Sequence, residues 1–131
     1  MTKEDKNLLI QDLSARLPYK TKIQLTEYSD LTGEKLPSKI KTLDYCMLGK
    51  AQAYCKGFRK DEIKPYLFPL SSLTEEQSME FALLHVKTHK DGFLYVCDSA
   101  NMMKWLLKNH FDIYGLIEKG LAINATNLEI Y

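Results

Sequence analysis

A chain of 131 residues with 45% hydrophobic and 27% charged side chains has the composition of one ordinary globular domain, which excludes disordered, collagen-like and low-complexity classes. Eighteen Lys and Arg against 17 Asp and Glu give a formal net charge of +1, so total charge favours neither nucleic acid nor an anionic membrane. Apolar runs fall short of the roughly 20 residues of a spanning helix and of a secretory signal core. Three cysteines (Cys46, Cys55, Cys97) without a C-x-x-C pair fit reduced thiols, and the expected compartment is the cytoplasm.

The predicted fold class is α+β in a single domain over residues 1–131, strand-rich across 18–70 and helix-rich across 71–131. Residues 3–16 predict a helix: Leu9, Leu13 and Leu17, with Ile10 one step aside, recur at helical spacing, and Pro18 ends it. Ile23 and Leu25 alternate with Lys22, Gln24 and Thr26 as in a half-buried strand, and Asp30-Leu31-Thr32-Gly33-Glu34 reads as a turn. Alternation at Leu43, Tyr45 and Met47 predicts a second strand over 39–47. A turn at Gly49-Lys50 leads to a third strand over 51–58, which sets Tyr45 opposite Tyr54. Three such strands make a small antiparallel sheet with an SH3-like curl.

Pro65 and Pro69 keep residues 63–70 out of any helix interior, as an apolar segment packed against the body. Thr74-Glu75-Glu76-Gln77 matches a capping box. The helix that follows, 75–88, is expected to bury Met79, Ala82, Leu83 and Val86. Phe93 to Cys97 predicts a strand, and Asp98 or Ser99 caps a helix to 109 with Met102, Met103, Leu106 and Leu107 inward. A helical turn ended by Gly120 and an extended piece through Leu128 and Ile130 complete the chain.

Site signals are sparse. His85 and His89 have a metal-compatible spacing but lack a third ligand and the glutamate of the zinc-protease motif, so the expectation is no metal and no cofactor. Cys46 and Cys55, placed on neighbouring predicted strands, read as small core residues, and Cys97 as a buried thiol. Glu75 and Glu76 suit the first turn of a helix better than acid–base chemistry. No phosphate-binding or nucleophile-elbow signature is present, so the chain is read as a non-enzyme.

Charge is uneven along the chain: residues 1–70 carry 13 basic and 9 acidic side chains, and residues 71–131 carry 5 and 8. Lys39, Lys41, Tyr54, Lys56, Arg59 and Lys60 form a candidate nucleic-acid patch, since aromatics amid lysines on a sheet suit single strands. The plainer reading is a solvated face whose lysines protect strand edges. Trp105, Phe111 and Tyr114 form a candidate protein-partner surface, with the edge of the core as the simpler alternative.

The segments Ile63-Lys64-Pro65-Tyr66-Leu67-Phe68-Pro69-Leu70-Ser71-Ser72-Leu73-Thr74-Glu75-Glu76 and His110-Phe111-Asp112-Ile113-Tyr114-Gly115-Leu116-Ile117-Glu118-Lys119-Gly120-Leu121-Ala122 resemble a family of small uncharacterised proteins of prophages, phages and other mobile elements of gut bacteria. The resemblance covers residues 20–123, with Phe68 and Tyr114 standing where that pattern often has arginine. It implies a mobile-element setting and an accessory, non-enzymatic role, and brings no catalytic residue or cofactor. A protein partner is the first expectation, nucleic acid the alternative, and no membrane association is expected.

Overall fold

A computed structural model describes residues 1–58, 60–88, 94–96 and 99–131 of the protein. Helix α1 (Lys3–Arg16) opens with a reciprocal cap: the Thr2 hydroxyl accepts from the Asp5 amide and the Asp5 carboxylate accepts from the Thr2 amide. After a 3-10 turn at Leu17–Tyr19, the chain forms β1 (Lys22–Thr26) and β2 (Lys39–Thr42), then α2 (Tyr45–Cys55) and β3 (Glu62–Leu67). Helix α3 (Glu75–His85), the hairpin β4 (Val86–Thr88) and β5 (Leu94–Val96), α4 (Ser99–Lys108) and the short β6 (Ile123–Asn124) follow.

The α+β class holds. The main sheet has the order β2-β1-β3-β6, with β1 antiparallel to both neighbours and β3 parallel to β6. It is therefore mixed, and it ends in two edges instead of closing into an SH3-like barrel. Opposed residues share a face, so Ile23, Leu25, Ile63 and Pro65 point together towards α1 and α2. There they meet Leu9, Leu13, Met47 and Ala51 in one buried cluster, joined by Leu116, Leu121 and Ala122.

Of the strand predicted over 39–47 only Lys39–Thr42 forms, as β2; its end and most of the strand predicted over 51–58 are instead the helix α2. Asp44 decides this locally: its carboxylate accepts from the Met47 amide (2.8 Å) and its carbonyl from the Leu48 amide (3.0 Å), which starts a helix where alternation had promised a strand. Met47 and Ala51 are buried four residues apart, with Leu48 and Cys55 packed beside them. Tyr45 and Tyr54 consequently lie on one helix, not across two strands.

The segment expected only to pack against the body supplies the strand β3. Pro65 is tolerated there because it opposes Ile23 at a non-bonded pair, and on its other side β6 begins only at Tyr66↔Ile123. The segment that follows β3 and the segment that follows α4 zip together. The Phe68 amide donates to the His110 carbonyl and the Asp112 amide to the Phe68 carbonyl, both at 2.8 Å. Asp112 then accepts from the Leu116 and Ile117 amides (2.9 and 3.0 Å), shaping the turn that Gly120 ends at φ +73°.

The predicted capping box at Thr74 and Gln77 is present, with bonds of 3.0 and 3.1 Å. The inward stripe assigned to α3 is reversed: Met79 and Leu83 are 68% and 72% exposed and Ala82 is exposed, whereas Phe81 and Leu84 are half-buried. The helix is apolar on both sides, so spacing alone could not choose, and the Phe81 ring decides it by packing on Trp105 (centroids 5.5 Å apart). On α4, Leu107 is buried and Met102 and Leu106 half-buried, but Met103 faces outward. The hairpin strand β4 takes residues 86–88 from the end of the predicted helix.

Candidate functional site

The outer edge of β2 is one of the two exposed edges of the main sheet. The Leu43 amide donates to the Thr21 carbonyl (2.8 Å), which sets the alternation of the ladder. Lys39 and Lys41 therefore bond back to Leu25 and Ile23, while Ile40 and Thr42 direct their N–H and C=O groups away from β1. No strand among the described residues covers that edge.

Side chains around the edge are sorted by face. Lys39 and Lys41 project on the side of Leu25 and Ile23, at the open margin of the core face, and both are exposed. Ile40 projects on the opposite side with Gln24 and Lys64 and is 55% exposed. Thr42 is fixed by the Lys22 ammonium, whose Nζ donates to Oγ1 at 2.8 Å. Upstream, Lys35 bridges to Tyr28 as the hairpin continues to its turn. The edge thus offers free amides, cations on one face and an apolar side chain on the other.

The described residues of the predicted nucleic-acid patch are distributed over separate features. Lys39 and Lys41 lie on β2. Tyr54 lies in the last turn of α2 and Lys56 caps its C-terminus; Tyr54 is half-buried near Glu62 and Lys64, its phenol pushed up chiefly by burial. Lys60 lines a cleft with Tyr28 and Phe58, and Arg59 lies outside the described residues.

Trp105 and Phe111 do not present a surface. They are 9% and 2% exposed, stack on each other with centroids 5.7 Å apart, and the indole Nε1 donates to Glu80 (3.0 Å). Tyr114 is half-buried against the main cluster. Aromatic area of this size goes inside whenever a polar tip can be satisfied, as Glu80 does here. Cys46 is exposed and Cys55 half-buried on the same helix, not on paired strands; burial pushes the Cys55 thiol up. His85 closes α3, while His89 and Cys97 lie outside the described residues. Among the described residues no three His, Cys, Asp or Glu are grouped to hold a metal ion, and no helix is long and apolar enough to cross a membrane.

One polar cluster had no individual sequence signal beyond an Asp and an Arg four apart. Arg16 and Asp12 form a fully buried pair, and Arg16 also donates to the Phe111 carbonyl. Burial raises the Asp12 carboxyl, against the pull of Arg16. Nearby, the His110 and Tyr131 rings stack with centroids 3.7 Å apart. Burial, aided by the charge of Arg16, lowers the His110 imidazole to about 4, and burial pushes the Tyr131 phenol up to about 12. Both shifts keep the groups neutral, and a neutral stacked pair whose hydroxyl is bonded to backbone acts as a structural clamp.

No family model matches the chain, and neither a curated protein nor a solved structure shows significant similarity to it.

Proposed function

We propose that the protein is a small non-enzymatic interaction module of a mobile genetic element, acting in the cytoplasm without a cofactor, that captures an extended acidic segment of a partner protein on β2. The observation that carries this reading is the free edge at Ile40 and Thr42, flanked by Lys39 and Lys41. Strand addition draws affinity from main-chain hydrogen bonds and specificity from alternate side chains. A partner alternating acidic and β-branched residues places carboxylates beside the two lysines and an apolar side chain beside Ile40.

The test is binding of a labelled synthetic peptide of alternating Glu and Val to the full chain, followed by fluorescence anisotropy. Ile40→Pro deletes an outward amide without breaking the β1 ladder, so binding is lost while the fold persists. Lys39→Glu with Lys41→Glu weakens binding and flattens its salt dependence. Absence of peptide binding at low salt rejects the reading. Oligonucleotide binding abolished by the lysine reversals supports the alternative, a nucleic-acid contact centred on Lys39 and Lys41.

A further inference from the structure

Two surfaces remain without a role in this reading, and their chemistry is complementary. Between α1 and α2 runs a groove of about 520 Å³. Its floor holds Ile10 and Cys55, and its rim holds Lys3, Lys6 and Lys56 with amide side chains such as Gln52. Among the described residues no carboxylate lines it, and none of these three lysines is in an ion pair; Lys64 and Lys119 are paired elsewhere, with Glu62 and Asp5. The groove offers neither arginine nor an aromatic platform on which a base would stack, which disfavours a nucleic acid.

The outer face of α3 is the converse. Met79 and Leu83, four residues apart, make an exposed apolar stripe with Ala82, and Glu75 and Glu76 are exposed beside it. An exposed apolar helical stripe with an acidic border is the shape and charge that a lysine-rimmed interhelical groove accepts. The uneven charge of the chain, basic through residue 70 and acidic beyond it, follows the same division.

We propose that α3 of one copy of this chain docks in the α1–α2 groove of a second copy, Met79 and Leu83 against Ile10 and Cys55, Glu75 and Glu76 against the lysines. Because the two surfaces differ, the contact is heterologous: it closes as a reciprocal pair or ring, or it grows.

Sedimentation of the full chain over a range of concentrations tests this, at low salt and at about 0.5 M salt. The wild type is expected to rise in mass with concentration at low salt and to fall back towards the 15.2 kDa of one chain at high salt. Leu83→Glu, at an exposed position that leaves the helix intact by circular dichroism, is expected to remain a single chain. Lys6→Glu/Lys56→Glu and Glu75→Lys/Glu76→Lys are each expected to remain single chains alone and to associate when mixed. A wild type of one-chain mass at every concentration overturns the proposal. So does association that survives both Leu83→Glu and Lys6→Glu/Lys56→Glu, or a charge-reversed mixture that stays apart.

Discussion

Arg16 grips both carboxylate oxygens of Asp12, Nε to Oδ2 at 2.7 Å and Nη2 to Oδ1 at 2.9 Å, with both side chains fully buried. The pair lies one helical turn apart on α1, and the same Nη2 reaches the Phe111 carbonyl, tying the first helix to the tail. A buried ion pair contributes little net stability over an apolar substitute, but half of one is costly. Asp12→Ala leaves a buried guanidinium without its counter-ion, and a loss of about 3–5 kcal/mol in chemical denaturation is expected. Asp12→Leu combined with Arg16→Met is expected to recover much of that loss; a single variant as stable as wild type would contradict the role given to the pair.

The Tyr131 hydroxyl occupies a gap in the sheet. It accepts from the Lys22 amide (2.9 Å) and donates to the Tyr66 carbonyl (2.7 Å), where β1 and β3 would otherwise bond directly. Tyr131→Phe keeps the stacking on His110 and removes only this bridge. A loss of about 1–3 kcal/mol is expected, the range for stranding a backbone group. Amide exchange at Lys22 should accelerate with it, and unchanged exchange would show that the hydroxyl is dispensable.

His110 gives the fold a pH dependence of definite sign. Its folded pKa of about 4 lies below the ordinary 6.5, so at intermediate pH the unfolded chain binds more protons than the folded one. The stabilisation is complete above pH 6.5 and is lost as pH falls from there through about 4. His110 also holds a left-handed backbone (φ +64°) at the end of α4, a conformation that asparagine tolerates. Melting of wild type and His110→Asn across that interval separates this residue from the carboxylates: the wild-type Tm should fall more steeply on acidification, and parallel curves would remove histidine as the cause.

Elements were legible in the sequence where a proline or a cap coincides with unambiguous spacing. The span of α1 follows from Leu9 and Leu13 at helical spacing and from Pro18, and the start of α3 from Thr74 and Gln77. The α2 region misled because Leu43, Tyr45 and Met47 alternate over five residues while Met47 and Ala51 fit helical spacing equally; Asp44, read as an alternating polar residue, was the cap. Burial on α3 could not be read because Met79 and Leu83 rival Phe81 and Leu84 in apolarity, and only packing on Trp105 distinguishes them. Of the edge proposed for docking, the lysines, the strand β1 and the start of a strand at Lys39 were visible. The orientation of the Ile40 and Thr42 amides was not, because it depends on pairing phase across 12 or more residues of intervening hairpin.

In the proposed function, β2 recruits an extended acidic segment through those two amides. The direct measurement is an amide-resolved NMR titration of the labelled full chain with the alternating Glu–Val peptide, with hydrogen exchange recorded at saturation. The account predicts saturable shifts concentrated on β2, with exchange at Ile40 and Thr42 slowed at least about tenfold as each amide gains a partner. Peptide binding that leaves both amides exchanging at their free rates, or that maps away from β2, would contradict it.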